Sequence, residues 1–231
     1  MYDLLLFAAL PYTALVLFIG GSVVRYRNWG YTVSSLSSQF LESNRLYWGS
    51  LAFHAGILLL FIGHLLGFLF PSWIGQLTRQ PVGRFVIELM GLTMGLLSLV
   101  GIAALIVRRL LSERLRVVTT HMDVAVFSLL LLQIILGVLV ALQHRWGTAW
   151  FTVTLVPYLR SILTFRPDLR LVAPMPFLIK FHIASAYVIF ALVPFSRLMH
   201  ILVAPFPYLW RSVQIALWHH RPGGARAQSA R

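Results

Sequence analysis

The chain contains no cysteine. That absence excludes disulfide bonds, haem attached covalently through C-x-x-C-H, and iron–sulfur ligation by this chain. A metal cofactor, if bound, would have to rely on histidine. Acidic residues are scarce as well: 6 Asp and Glu stand against 19 Lys and Arg, a formal charge of +13. In a soluble domain such an excess would suggest nucleic acid. Here the arginines fall between long apolar runs, where they orient a chain in a bilayer and meet lipid headgroups. Membrane lipid is the expected neighbour, and nucleic acid is not. Runs of alternating polarity are missing too, which excludes a transmembrane barrel. The opening MYDLLLFAAL lacks the basic n-region and small-residue cleavage site of a signal peptide, so the first apolar run reads as a retained helix.

What is present suits hydrocarbon. The chain is 59% apolar, against roughly 45–50% in soluble domains. Five runs have about the ~18–20 residues that cross a ~30 Å core; they lie at about 4–24, 47–70, 85–107, 124–142 and 177–203. They predict an all-α integral membrane protein, a five-transmembrane-helix bundle over residues 1–210, followed by a basic tail, 211–231. Pro11 and Pro194 read as tolerated kinks, and Pro71 as the end of the second span. Trp48 and Trp73 suit the two interfaces. Arg25, Arg27, Arg45, Arg108, Arg109, Arg114, Arg116, Arg197 and the tail's arginines fall on one side. Arg79, Arg84, Arg145, Arg160, Arg166 and Arg170 fall on the other. The richer side is cytoplasmic, which puts the N-terminus outside and the C-terminus in the cytoplasm. The long loop 144–176 contains WFTVTLVPYL (150–159), apolar but too short to cross; it reads equally as surface-lying or re-entrant.

Of 8 histidines, His219 and His220 belong to the polar tail, and His121 and His144 to span ends. The other four lie inside apolar helices: His54 and His64 in FHAGILLLFIGHLL (53–66), His182 and His200 in the fifth span. An unpaired imidazole is unfavourable in hydrocarbon, and a lone one usually bonds a neighbouring helix. Two on each of two helices point further. The second and fifth spans are separated by two others and so run antiparallel. This brings His54 to the level of His200, and His64 to the level of His182. Facing imidazoles from two helices suit bis-histidine axial ligation of a b-type haem. Gly56, Gly63 and Gly67 would leave room for a porphyrin or, alternatively, let helices pack closely. The spacing is uneven. His54 and His64 differ by about 15 Å in rise and roughly 80° in direction, whereas His182 and His200, on one continuous helix, differ by about 27 Å and point the same way. Glu88 is the only acid expected inside a span, which suggests a proton path or a buried pair.

Four stretches carry a family likeness: LAFHAGILLLFIGHLLGF (51–68), FHIASAYVIFALVPFSRLMHILVAP (181–205), YTVSSLSSQFL (31–41) and RRLLSERLRVVTTHMD (108–123). The chain resembles the membrane cytochrome b (gamma) subunit of respiratory nitrate reductase, a protein of bacterial or archaeal cytoplasmic (inner) membranes. The resemblance implies two haems b, the outer on His64 and His182, the inner on His54 and His200. It implies quinol as substrate beside the outer haem, and electron delivery to iron–sulfur (beta) and molybdenum catalytic (alpha) subunits in the cytoplasm. Arg25, Ser37, Arg109 and Arg197 are candidate partners of the inner haem's propionates; Arg197 precedes His200 by three residues and so shares its side of a helix. Relatives place a quinol-contacting lysine after the loop that follows the second span. No lysine occurs there, and Arg84 is the nearest basic residue; arginine can donate to a quinone oxygen but does not deprotonate. Lys180, Glu88 and Gly63 complete the candidate quinol set. Bis-histidine iron has no open position, so this chain is expected to transfer electrons rather than reduce nitrate. Two rivals stand beside this reading. One is a diheme cytochrome b of another respiratory complex with a different donor, the other a haem-free membrane anchor or transporter.

Overall fold

The computed structural model describes residues 2–30, 46–144 and 147–203. Ser37, Arg45, Arg145 and the tail 211–231 lie outside the described residues. Within them the chain is helical: α1 (Tyr2–Trp29), α2 (Leu46–Leu69), α3 (Pro71–Arg79), α4 (Pro81–Leu111), α5 (Glu113–Val117), α6 (His121–Gln143), α7 (Gly147–Trp150), α8 (Val156–Leu163) and α9 (Phe177–Leu192). Among the described residues, five helices are long and apolar enough to cross a membrane: α1, α2, α4, α6 and α9, the last extended to Phe195. Capping chemistry sets several of their ends. Pro71 and Pro81 open α3 and α4, where a missing N–H is harmless. Thr120 and Asp123 close a reciprocal capping box at the start of α6.

The spanning helices pack in a row: α2 on α4, α4 on α6, α6 on α9, and α9 on α1. Small residues let them approach. A methyl group at Gly56 would lie 2.7 Å from the Met94 carbonyl oxygen of α4, and one at Gly101 would lie 2.6 Å from Phe53 Cα of α2. Among the described residues, α2 shares no extensive backbone contact with α9 or α1. The row therefore has two ends, and α2 is the least covered span, 11% buried against 17–33% for the others.

Two expectations need correction. The fifth span is not one helix over 177–203. Its α-helix ends at Leu192, a 3-10 turn covers Val193–Phe195, Ser196 is extended (φ −126°, ψ −179°), and a second 3-10 segment covers Arg197–Val203. Pro194 withholds the N–H that Phe190 O would receive in a continuing α-helix, Val193 N–H donates to Phe190 O in its place, and Arg25 Nη1 on α1 donates to Pro194 O (2.7 Å) and Ser196 O (2.8 Å), beyond the end of the helix. The common direction of His182 and His200 assumed an unbroken helix and does not hold. Nor is Glu88 the only acid in a span, because Asp123 lies in the first turn of α6 and Asp3 in the first turn of α1.

The segment 150–159 is built into the core. Phe151–Leu155 form a π-turn leading into α8, and Thr152, Leu155, Val156 and Tyr158 are buried. Tyr158 packs with Phe7, Val172 and Ile179 in one cluster. Its hydroxyl donates to Phe7 O at 2.8 Å. Pro11 explains why that carbonyl is available: it lacks the N–H that an α-helix would direct at Phe7. Burial raises the Tyr158 phenol above its ordinary pKa, so it is a neutral donor at physiological pH.

Candidate functional site

His54 and His64 lie on exposed parts of α2. Each ring is tied back one helical turn. His54 Nδ1 is 2.8 Å from Ser50 O, and His64 Nδ1 is 2.8 Å from Leu60 O. His200, past the break that follows α9, repeats the arrangement with Nδ1 2.6 Å from Arg197 O. A carbonyl can only accept, so in all three Nδ1 carries the proton and Nε2 keeps its lone pair. His182 reaches the same tautomer by another route. Gln133 Oε1 accepts from the Ser185 hydroxyl, which turns the amide NH2 toward His182 Nε2 at 3.4 Å. Nε2 is then the acceptor. Nδ1 of His182 is buried without a hydrogen-bond partner among the described residues.

The rings of His54 and His200 meet edge-on, with centres 6.5 Å apart and planes at 65°. Two imidazoles on opposite sides of one metal atom, each at a metal–nitrogen distance of about 2 Å, would have ring centres about 6 Å apart. The observed separation fits one shared atom. His64 and His182 are close enough to interact electrostatically. His64 also meets Phe151 edge-on, with ring centres 5.8 Å apart. Gly137 makes room for the His182 ring, since a methyl there would lie 3.1 Å from Cε1. The three glycines around the α2 histidines divide: Gly56 packs on α4, Gly67 meets Phe151, and Gly63 has nothing within 4 Å among the described residues.

Arg109 and Arg197 converge on a carboxylate that sequence reasoning did not assign. Asp123, 4% exposed, accepts from Arg197 Nη2 at 2.7 Å, from Arg197 Nε, and from Arg109 Nη1 at 3.4 Å. Arg109 also donates to Thr119 Oγ1 (3.0 Å) and covers the Phe127 ring at 5.1 Å. Arg25 grips the backbone on either side of Phe195. At the other end of the bundle, Glu88 Oε1 accepts from Thr148 Oγ1 at 3.3 Å. Arg84 lies one turn before Glu88 on α4, half-buried. Lys180 Nζ is held by both oxygens of Asp3, at 2.9 and 3.1 Å, and so ties the start of α9 to that of α1.

Asp123, Gln133, Gly137 and Phe151 escaped the sequence reading. The T-x-x-D box at 120–123 and an amide in an otherwise apolar span were the available signals for the first two. Gly137 and Phe151 carry no local signal; only packing assigns them.

Residues 3–219 match the family model described as nitrate reductase gamma subunit. The chain is 34% identical over 213 residues to the nitrate reductase gamma chain of Bacillus subtilis, covering 90% of this chain and 95% of that one. It is 34% identical over 227 residues to the respiratory nitrate reductase 1 gamma chain of Escherichia coli, covering 94% and 98%. The second such chain of Escherichia coli is 34% identical over 208 residues, covering 89% and 92%.

Proposed function

Because the chain belongs to the nitrate reductase gamma subunit family, we propose that it is the membrane cytochrome b subunit of a respiratory nitrate reductase. In this reading it draws electrons from quinol near the outer face and passes them to an iron–sulfur (beta) and molybdenum catalytic (alpha) module in the cytoplasm. The observation that carries the reading is the His54–His200 pair, with ring centres 6.5 Å apart and Nε2 lone pairs left free. Each histidine pair offers two nitrogens. Among the described residues no three of His, Asp and Glu converge as a bare-ion site. A macrocycle that brings its own equatorial nitrogens suits such pairs. His54 and His200 would hold one haem b, and His64 and His182 the other. Haem held this way supplies one-electron transfer.

The remaining roles fall to the chain itself. Carbonyls of Ser50, Leu60 and Arg197 orient the rings and raise the basicity of Nε2. Gly63, open on its free side, leaves space for a flat quinol ring beside His64, with Phe151 as a wall. Arg84 offers N–H donors to a quinone oxygen. Glu88, bonded by Thr148, takes a proton. Oxidation of one quinol releases two electrons and two protons. Protons leaving outward while electrons move inward conserve energy, about 2.3 kcal/mol per charge for each 100 mV crossed. Lys180 is assigned to its Asp3 anchor rather than to quinol. Held by a histidine from each helix, such a haem would offer nitrate no place to bind, so nitrate reduction is assigned to another subunit.

A dithionite-reduced difference spectrum of the purified protein tests the cofactor. A b-type spectrum with two haems per chain supports the reading, and a protein without a Soret band ends it. Titration with a quinol analogue tests the donor. Haem reduction by quinol that is indifferent to the inhibitor removes the quinol site.

A further inference from the structure

The segment that carries His200 is held from outside itself. It follows the break at Pro194–Ser196 and is a 3-10 turn rather than an α-helix, so its own hydrogen bonds are a weak support. Arg25 on α1 fixes the backbone before it. After the break, the first tie to another helix is Arg197, whose side chain forks onto Asp123 of α6. The same residue's carbonyl accepts from His200 Nδ1 at 2.6 Å. One residue thus joins a buried carboxylate to the imidazole: its guanidinium is set by Asp123, and its backbone sets the ring. Asp123 is itself rigid. It is 4% exposed, closes the capping box with Thr120, and is neutralised from a second side by Arg109.

We infer that Asp123 is the positioning residue for His200, and through it for one cofactor pair only. His182 has no comparable tie, being held by Gln133 on the middle of α6. Asp123 touches no imidazole, so its action is indirect. The fork onto Arg197 needs two acceptor oxygens in a fixed plane, which asparagine lacks and a longer glutamate moves. Removing the carboxylate also leaves two half-buried arginines facing each other. The segment is then expected to shift and His200 to lose its aim across the gap at His54.

The inference rests on the two-haem reading, and the experiment separates the two. Wild-type, Asp123→Asn and Asp123→Glu proteins are purified as the assembled complex and compared per chain for haem content, low-spin haem EPR and midpoint potentials. The expected result is that Asp123→Asn loses or shifts the haem that His54→Ala and His200→Ala also remove, with haem content falling toward about half, while the other haem keeps its spectrum and potential. Asp123→Glu, which keeps the charge, retains both haems and shifts the potential of that same one. Should the asparagine variant not accumulate, the glutamate variant decides. Two unshifted haems in the variants, or both disturbed equally, overturn the role of Asp123. A wild-type complex without haem in this chain overturns the functional reading instead.

Discussion

At the scale of single residues, the histidines share one feature more telling than their number: all four present Nε2 as the unprotonated nitrogen, three through a carbonyl on Nδ1 and one through Gln133. Three backbone carbonyls and one side-chain amide enforce one tautomer, as second-shell partners do in metal sites. The pairing then has a direct consequence. His54→Ala and His200→Ala are expected to abolish the same haem, and His64→Ala and His182→Ala the other, by difference spectra of the purified variants; losses that cross between the pairs would refute the assignment. Gly63 gives a second test. Among the described residues its free side meets nothing within 4 Å, so valine there breaks no contact among them and costs only helix propensity. It would instead fill the space beside His64. Gly63→Val is expected to retain both haems while raising the apparent KM for quinol several-fold. Loss of haem with unchanged KM would move the quinol pocket elsewhere.

At the scale of elements, length and hydropathy made the spans legible, because a bilayer demands uninterrupted apolar helix. Their ends were not, because capping and local bonds decide them. The fourth helix continues from Pro81 to Leu111, well past 85–107, since its outer turns are polar enough to escape a hydropathy reading. The break after α9 was harder still. A proline in a span usually only kinks it, and the tie that stabilises the break here comes from Arg25, some 170 positions away in sequence. The segment 150–159 was ambiguous for the same reason: the Tyr158–Phe7 bond, made possible by Pro11, and the contact of Phe151 with His64 show where it goes. Tyr158→Phe strands that carbonyl in a buried site and is expected to cost about 1–3 kcal/mol, read as a lower thermal midpoint in detergent with haem content unchanged. Gly56→Ala forces a methyl group against the Met94 carbonyl and Ser98. Overpacking of this kind costs about 1–3 kcal/mol, so a wild-type melting curve for that variant would mean that α2 and α4 sit farther apart than described.

At the scale of the whole molecule, the row of helices with α2 at one end explains how a small chain can offer two imidazole pairs. A closed bundle would have filled the gap between α2 and the α9 side with apolar side chains. Among the described residues, the open arrangement leaves α2 poorly covered and its two histidines, His54 and His64, exposed. None of this is written locally: the neighbour relations of helices depend on interlocking surfaces such as Gly101 on Phe53, whereas the antiparallel course of α2 and α9 needs only a count of spans. Sidedness, by contrast, rests on arginine distribution, and the absence of cysteine makes it directly measurable. Glu113, between α4 and α6, has an 89% exposed side chain. Thr164, after α8, is also exposed and lies at the opposite end of the spans. Single cysteines at these two positions in an otherwise cysteine-free chain report one side each. With the N-terminus outside, a membrane-impermeant maleimide applied to spheroplasts is expected to label Thr164→Cys and to spare Glu113→Cys until the cells are opened and the protein denatured. The reverse pattern would place the His54–His200 pair at the outer face and the Glu88–Thr148 contact at the inner one. It would also invert the proposed direction of electron flow, because the histidine pairs are fixed to their ends of the bundle whichever way the chain is inserted.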